Sequence, residues 1–406
     1  MENEREIALN SLIQILENGA YSHVIEKQVL DKYDYLDSVK KAFIKRVIEG
    51  TVENMLVLDE VINKFSKTPT NRQKPMIRTI LRMSTYQILF MEKVPDFAAC
   101  NEAANLAARH GFKTLKPFVN GVLRTISKNK DDCLKNMGSS VPEWIKVHLI
   151  DSYGEETASK ILEDIDKPHP VTIRVRNSKF DTSSYTPSPL LDDAFFLPKG
   201  TQIAQIKGYD EGDFIVQDIS SMMVCKTAEI KPGEQVLDVC AAPGGKSIHA
   251  CDMGGEVLSR DLYESKVERI RENIERCGCT TIRTEVFDAT VFDSESVERY
   301  DVVLADLPCS GLGVMGRKAD IRFKTKPEDL DSLADIQRNI LDTIWQYVKV
   351  GGILMYSTCT LNPEENENQA KYLVEKYAFE LKSQKTFFPG IDGTDGFYIA
   401  KLQRTK

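Results

Sequence analysis

The chain has 406 residues, of which 42% are hydrophobic and 28% charged, with a formal net charge of −8. That length exceeds one ordinary core, the composition is that of a globular protein, and no apolar run approaches the roughly 20 residues that span a bilayer. The start, Met1-Glu-Asn-Glu-Arg-Glu6, is acidic and offers no secretory core, so a cytoplasmic protein without membrane attachment is expected.

Nine cysteines, an odd number in a long chain, do not form a disulfide framework. Cys277 and Cys279 make a C-x-C, but no second pair stands at finger spacing, and the five histidines are scattered. No metal site is expected.

Residues 1–130 read as an all-α bundle. Ile7, Leu9, Leu12, Ile13 and Leu16 recur at helical spacing, as do Ala42, Phe43, Val47 and Ile48. A further helix is predicted from Pro75 to about Glu92, broken by Val94-Pro95-Asp96. Others hold Ala98 to Leu106 and Phe118 to Ile126. Between 61 and 130 stand thirteen Lys and Arg against three acids, Glu92, Asp96 and Glu102. Despite the acidic total, such a stretch attracts polyanions. Arg72, Lys74, Arg78, Arg82, Lys113, Lys116 and Arg124 are the candidate nucleic-acid contacts.

Residues 131–216 read as linker helices followed by a small α+β module. A helical stretch around Trp144 is interrupted at Tyr153-Gly154 and ends at Pro168-His-Pro170. Val171, Ile173 and Val175 then alternate with Thr172, Arg174 and Arg176. The period of two predicts a strand with a basic face, so Arg174 and Arg176 join the nucleic-acid candidates.

From 217 to 406 the pattern is α/β. Asp218 caps a helix. Strands are expected at 235–239, 256–260, 282–287, 301–305 and 352–357, and helices at 245–252, 264–277, 333–349 and 364–377. A doubly wound, mostly parallel sheet follows.

Its first strand runs into Cys240-Ala241-Ala242-Pro243-Gly244-Gly245-Lys246, a small-residue turn opening a helix. Such turns hold cofactors. A phosphate loop would need glycine where Cys240 stands, and no G-x-G-x-x-G is present. Asp261, Asp288 and Asp306 end the next three strands. An acid after the second strand can accept ribose hydroxyls. The set fits S-adenosylmethionine better than a nucleotide polyphosphate.

Cys309, in Asp306-Leu-Pro-Cys-Ser-Gly311, and Cys359, in Ser357-Thr-Cys-Thr360, follow neighbouring strands. Both face the edge where open sheets bind ligands. C5 of cytosine is a poor nucleophile. A thiolate added at C6 activates it toward a methyl sulfonium, and a base then removes the C5 proton.

These motifs, with Pro363-Glu-Glu-Asn366, resemble those of the Sun family of RNA cytosine-5 methyltransferases. Met83 to Phe90, Val94-Pro95, Asn101-Glu-Ala103 and Phe118 to Arg124 resemble a NusB-like RNA-binding domain, and residues 141–215 the family's extra RNA-binding module. The pairing is characteristic of bacterial enzymes acting on 16S rRNA. The resemblance implies an all-α NusB-like bundle, the small α+β module and a Rossmann-like class I methyltransferase domain. It makes Cys359 the nucleophile and Cys309 the residue assisting adduct release. The cofactor set it implies is Cys240 to Lys246, Asp261, Asp288 and Asp306, with Asp306 also a candidate base. The implied partner is 16S rRNA or a small-subunit assembly intermediate, and a monomer is expected. Leu307 stands where the family commonly has Ala, and Ala319 where it often has Pro; both change loop shape rather than a functional group. A tRNA cytosine-5 methyltransferase is the same-fold alternative. A non-catalytic RNA-binding or antitermination factor is the alternative of another class, and it leaves the two strand-end cysteines unexplained.

Overall fold

The computed structural model describes residues 3–406. The chain forms two compact units: Met1–Lys146 with Lys318–Lys324, and Val147–Arg317 with Thr325–Lys406.

The first unit is helical: α1 (Glu4–Leu16), α2 (Ser22–Lys32), α3 (Ser38–Glu53), α4 (Met55–Phe65), α5 (Pro75–Phe90), α6 (Asp96–Arg109), α7 (Lys116–Lys128) and α8 (Lys130–Lys135). Asn3 and Asp37 cap α1 and α3 through their side chains. Pro75 opens α5, where a missing N–H costs nothing. Helix α5 is the bundle's central rod, buried from Thr79 to Leu89. It packs so close to α3 that a Cβ on Gly50 would sit 1.9 Å from the Tyr86 ring. Only glycine lets the two axes approach that far.

The bundle core also takes in Ala319 and Phe323, from a stretch of chain far downstream. Around them, Asp320 accepts from the Ser22 N–H (3.2 Å) and hydroxyl (3.0 Å), and pairs with Lys324 (3.0 Å). Buried Arg322 donates to Ser140 Oγ (2.8 Å). Lys324 reaches the Ala20 carbonyl. A single turn of helix, Ile321–Lys324, thus belongs to the bundle although its sequence neighbours do not.

The second unit begins with α9 (Glu143–Tyr153), within which the division between units falls, and α10 (Glu155–Ile165). Gly154 turns between them at φ +79°. A four-stranded antiparallel sheet follows, in the order β2 (Thr186–Pro187), β3 (Ala194–Phe196), β1 (Thr172–Val175), β4 (Phe214–Val216). Then come α11 (Ile219–Ala228), β5 (Gln235–Asp238), α12 (Gly245–Asp252), β6 (Glu256–Asp261), α13 (Glu264–Arg276), β7 (Ile282–Val286) and β8 (Tyr300–Asp306). The chain closes with α14 (Pro327–Ile344), β9 (Val348–Thr358), α15 (Glu367–Lys376), β10 (Phe379–Phe387) and β11 (Phe397–Arg404).

The large sheet has the order β10-β11-β9-β8-β5-β6-β7. Strands β9, β8, β5, β6 and β7 are parallel, and β11 and β10 extend the sheet antiparallel. The strand order reverses at β5, with β6 on one side and β8 on the other.

Three boundaries depart most from expectation. Helix α14 starts at Pro327 rather than 333, because Pro327 pre-sets the first turn and Asp329 caps the Lys326 N–H (2.9 Å). Strand β9 starts at Val348 rather than 352, absorbing Gly351 at φ +84°. The helix expected over 333–349 therefore ends at Ile344.

The buried Asp320 anchor predicts a measurable loss. Asp320→Ala strands the Ser22 donors and the Lys324 ammonium, costing about 2–3 kcal/mol. Thermal unfolding of the full chain should show a transition several degrees lower; an unchanged profile would contradict the anchoring role.

Candidate active site

At the reversal point β5 passes into a loop gripped from both sides. Val239 N–H bonds the Leu304 carbonyl of β8 (3.1 Å), and Ala241 N–H the Arg260 carbonyl of β6 (2.9 Å). Gly244 turns the chain at φ +103° over α13, where a Cβ would lie 3.3 Å from Ile270. Asn273 of α13 donates to the Pro243 carbonyl (2.9 Å).

A cleft of about 180 Å³ opens at this loop. It is lined by the loop residues Cys240, Ala241, Ala242, Pro243, Gly245 and Lys246, by Gln217, Asp218 and Ser221, and by the acids Asp238 and Asp306. Asp261 lies behind the loop, buried, accepting from Ala242 N–H (3.1 Å) and Leu262 N–H (2.8 Å) and pairing with Lys266 (3.1 Å). Asp288 is half-buried after β7, and its Oδ1 accepts from Thr290 N–H (2.9 Å) and hydroxyl (2.7 Å).

Lys246 does more than shape the loop. Its ammonium crosses to Asp306 Oδ2 at 2.6 Å. Burial works against the charged amine, yet the Asp306 carboxylate outweighs it and the pKa is raised. Asp306 Oδ1 accepts from Ser357 Oγ (2.9 Å), tying β8 to β9.

Asp238 is a site residue that the sequence pattern hid, because it sits at the end of an apolar strand. Burial pushes its carboxyl up to about 7, against the pull of the Ser247 hydroxyl bonded to it (2.7 Å) and of Lys246. Its Oδ1 is buried and has no protein hydrogen bond.

Cys309 follows β8 and Cys359 follows β9, and their sulfurs are 3.4 Å apart, touching but not bonded. The hydrogen bond with Cys359, followed by burial, holds Cys309 well above the usual thiol range, so it keeps its proton. The geometry therefore joins a small-residue loop, a Lys–Asp pair and two touching thiols along one sheet edge.

The basic candidates divide. Arg72, Lys74, Lys113, Lys116 and Arg124 are exposed. Arg78 forms a bidentate pair with Glu17, and buried Arg82 pairs with Asp59 (2.6 Å). The basic face expected of β1 is not exposed. Arg174 is only 2% exposed, 2.8 Å from Asp252, and Arg176 pairs with the same carboxylate at 2.7 Å. Strand β1 is the interior of its sheet, paired on both edges, and Asp252 at the end of α12 neutralises its arginines. Among the described residues no cluster could hold a metal, and no helix is long and apolar enough to cross a membrane.

Residues 226–403 match the family described as 16S rRNA methyltransferase RsmB/F, and residues 2–128 match the NusB family. A Bacillus subtilis protein named probable ribosomal RNA small subunit methyltransferase B is 35% identical, over 98% of each chain. The chain belongs to the RsmB/F family of 16S rRNA methyltransferases. An Escherichia coli ribosomal RNA small subunit methyltransferase B is 29% identical over 98% of each chain. The fold is shared with the crystal structure of PH0851, at a TM-score of 0.83 and 21% identity, covering 98% of this chain and 97% of that one. The fold expected for the family, a NusB-like helical region and a Rossmann-like methyltransferase sheet, is the one observed.

The raised Asp238 carboxyl carries a pH signature. Its native pKa of about 7 lies above the unfolded value near 3.9. The native state then binds more protons than the unfolded one, so stability falls as pH rises between those values. Asp238→Asn should remove that part of the slope: between pH 5 and 8 the wild-type melting temperature should drop further than the variant's. Parallel profiles would refute the assignment.

Proposed function

We propose that this family member transfers a methyl group from S-adenosylmethionine to C5 of a cytosine in 16S rRNA, through a covalent bond between Cys359 and C6. The observation that carries the reading is the juxtaposition of two thiols at the ends of adjacent strands, on the edge that also holds the loop from Cys240 to Lys246.

The cleft suits the donor. Its small residues leave room, and the unpartnered buried Asp238 Oδ1 offers an acceptor for an amino group. The Cys240–Lys246 loop would hold the donor, backed by Asp261, with Asp288 toward the base. When bound, S-adenosylmethionine supplies an electrophilic methyl.

Cys359, as thiolate, adds to C6 and shifts electron density to C5. Cys309, protonated, is placed to donate its S–H to that thiolate. After methylation the C5 proton leaves to a base, the S–C6 bond breaks and the Cys359 thiolate returns. Asp306, held by Lys246 and Ser357, would meet the polar edge of the pyrimidine. The reading requires the target base to be unstacked, as enzymes acting on bases do. The exposed Arg72, Lys74, Lys113, Lys116 and Arg124 would contact RNA phosphates; buried Arg82 and Arg174 are not part of that surface.

Cys359→Ala should lower labelled methyl transfer to 16S rRNA by at least about 10³-fold; retained turnover would end the assignment. Cys309→Ala should accumulate a covalent protein–RNA band under methylating conditions, and its absence would count against a release role. Purified tRNA should accept no label, and bisulfite mapping of the rRNA product should place the modification at one cytosine. The exposed basic residues should also show in the salt dependence of RNA affinity. Changing Lys113, Lys116 and Arg124 to Ala should flatten the log–log slope by roughly 0.7–0.9 for each phosphate that is no longer neutralised. An unaltered slope would take this surface out of RNA binding.

A further inference from the structure

We propose that Glu365 is the positioning residue that holds the Cys309 loop against the Cys359 loop and so sets the separation of the two sulfurs. The proposal rests on the cysteine reading above and adds to it a residue with no direct access to substrate.

The last registered pair of β8 and β9 is Asp306 with Ser357. Beyond it the two strands share one more main-chain bond, Leu307 N–H to the Ser357 carbonyl (3.1 Å), before the cysteine loops diverge. Glu365, fully buried in the turn Pro363–Glu365, lies between them. Its Oε2 accepts from the Ser310 main-chain N–H (2.9 Å) and from Gln337 Nε2 of α14 (3.0 Å). Its Oε1 accepts from the Ser310 hydroxyl (2.5 Å) and from Asn362 Nδ2 (3.0 Å). Ser310 is the residue after Cys309, and Asn362 belongs to the Cys359 loop. One carboxylate thus takes donors from both loops and from the helix behind them.

The rest of the junction is built around this centre. Ser310 and Thr360 hydroxyls are 2.6 Å apart, Leu312 N–H bonds Thr360 Oγ1 (3.3 Å), and Gly313 N–H bonds the Cys359 carbonyl (3.1 Å). Tyr356 donates to the Glu365 carbonyl. A buried carboxylate is a poor device for stability alone, since a well-packed apolar residue usually does as well. Four converging donors give instead a fixed geometry. The Glu365 charge also weighs against ionisation of Cys309, in keeping with its protonated state.

The test uses the full chain with Glu365→Gln and Glu365→Ala. All four groups around the carboxylate, from Ser310, Gln337 and Asn362, donate, so an amide must set an N–H against donors. Both variants should bind S-adenosylmethionine within about twofold of wild type by calorimetry. Their kcat should fall about 100-fold, with KM for 16S rRNA within about threefold. A second readout reports geometry without turnover. Diamide takes two electrons and two protons from a pair of touching thiols, becoming the hydrazine as the disulfide forms. Peptide mapping should show the Cys309–Cys359 disulfide forming at least about tenfold more slowly in both variants. Unchanged kcat together with an unchanged disulfide rate would overturn the proposal. If the alanine variant loses cofactor binding, Ser310→Ala, which removes one donor and leaves the carboxylate, should still slow the disulfide several-fold. Loss of cofactor binding in all three would make Glu365 a general fold determinant and equally overturn it. If Cys359→Ala retained activity, the cysteine reading would fall, whereas the diamide rates would still decide what Glu365 positions.

Discussion

A parallel sheet brings the carboxyl ends of its strands to one edge, and the chemistry of this chain depends on that constraint. Because β8, β5 and β9 run the same way, the loops after all three open on one side. The Cys240–Lys246 loop, Asp306 with Cys309, and Cys359 come from stretches far apart in sequence. Only the ladder makes them neighbours. The antiparallel β10 and β11 add width at the β9 edge, so β9 and its cysteine are interior to the sheet rather than at its rim.

Crowding three carboxylates around one loop creates an electrostatic problem that the fold answers separately for each. Asp306 is neutralised by a largely buried lysine. Asp261 is occupied by backbone donors and Lys266. Asp238 has one side-chain hydrogen bond, from Ser247, and burial raises its pKa despite that bond and the Lys246 charge. Desolvation of a carboxyl with so few donors disfavours its charged form, which is why Asp238 alone of the three is driven up. The same logic separates the two thiols, one of which is kept protonated by its hydrogen bond with the other and by burial.

The parts legible in the sequence were those set by local chemistry. Small residues before a helix and cysteines just past apolar strands are local patterns, and the structure puts both at the carboxyl ends of β5, β8 and β9. The acids after β6 and β8 were readable for the same reason. What escaped depends on partners distant along the chain. Arg82 and Arg174 read as surface charges because Asp59 and Asp252 cannot be matched to them by spacing. Asp238 was masked by its apolar neighbours. The role of Glu365 exists only where α14, the Ser310 turn and the Asn362 turn converge. The misplaced ends of α14 and β9 came from Pro327 and Gly351, punctuating residues whose effect depends on which neighbour wins.

The short turn around Asp320 sets an order on the making of the protein. The helical bundle is synthesised first, and N-terminal units generally fold as they emerge. Yet part of its core, Ala319 and Phe323, and the acid that satisfies Ser22 are encoded after β8 and the Cys309 loop. The bundle therefore stays incomplete on the ribosome until Lys324 has cleared the exit tunnel, by which time β5 to β8 have already been made. No single cut in the chain separates the two units, and a bundle expressed alone lacks a piece of its own interior.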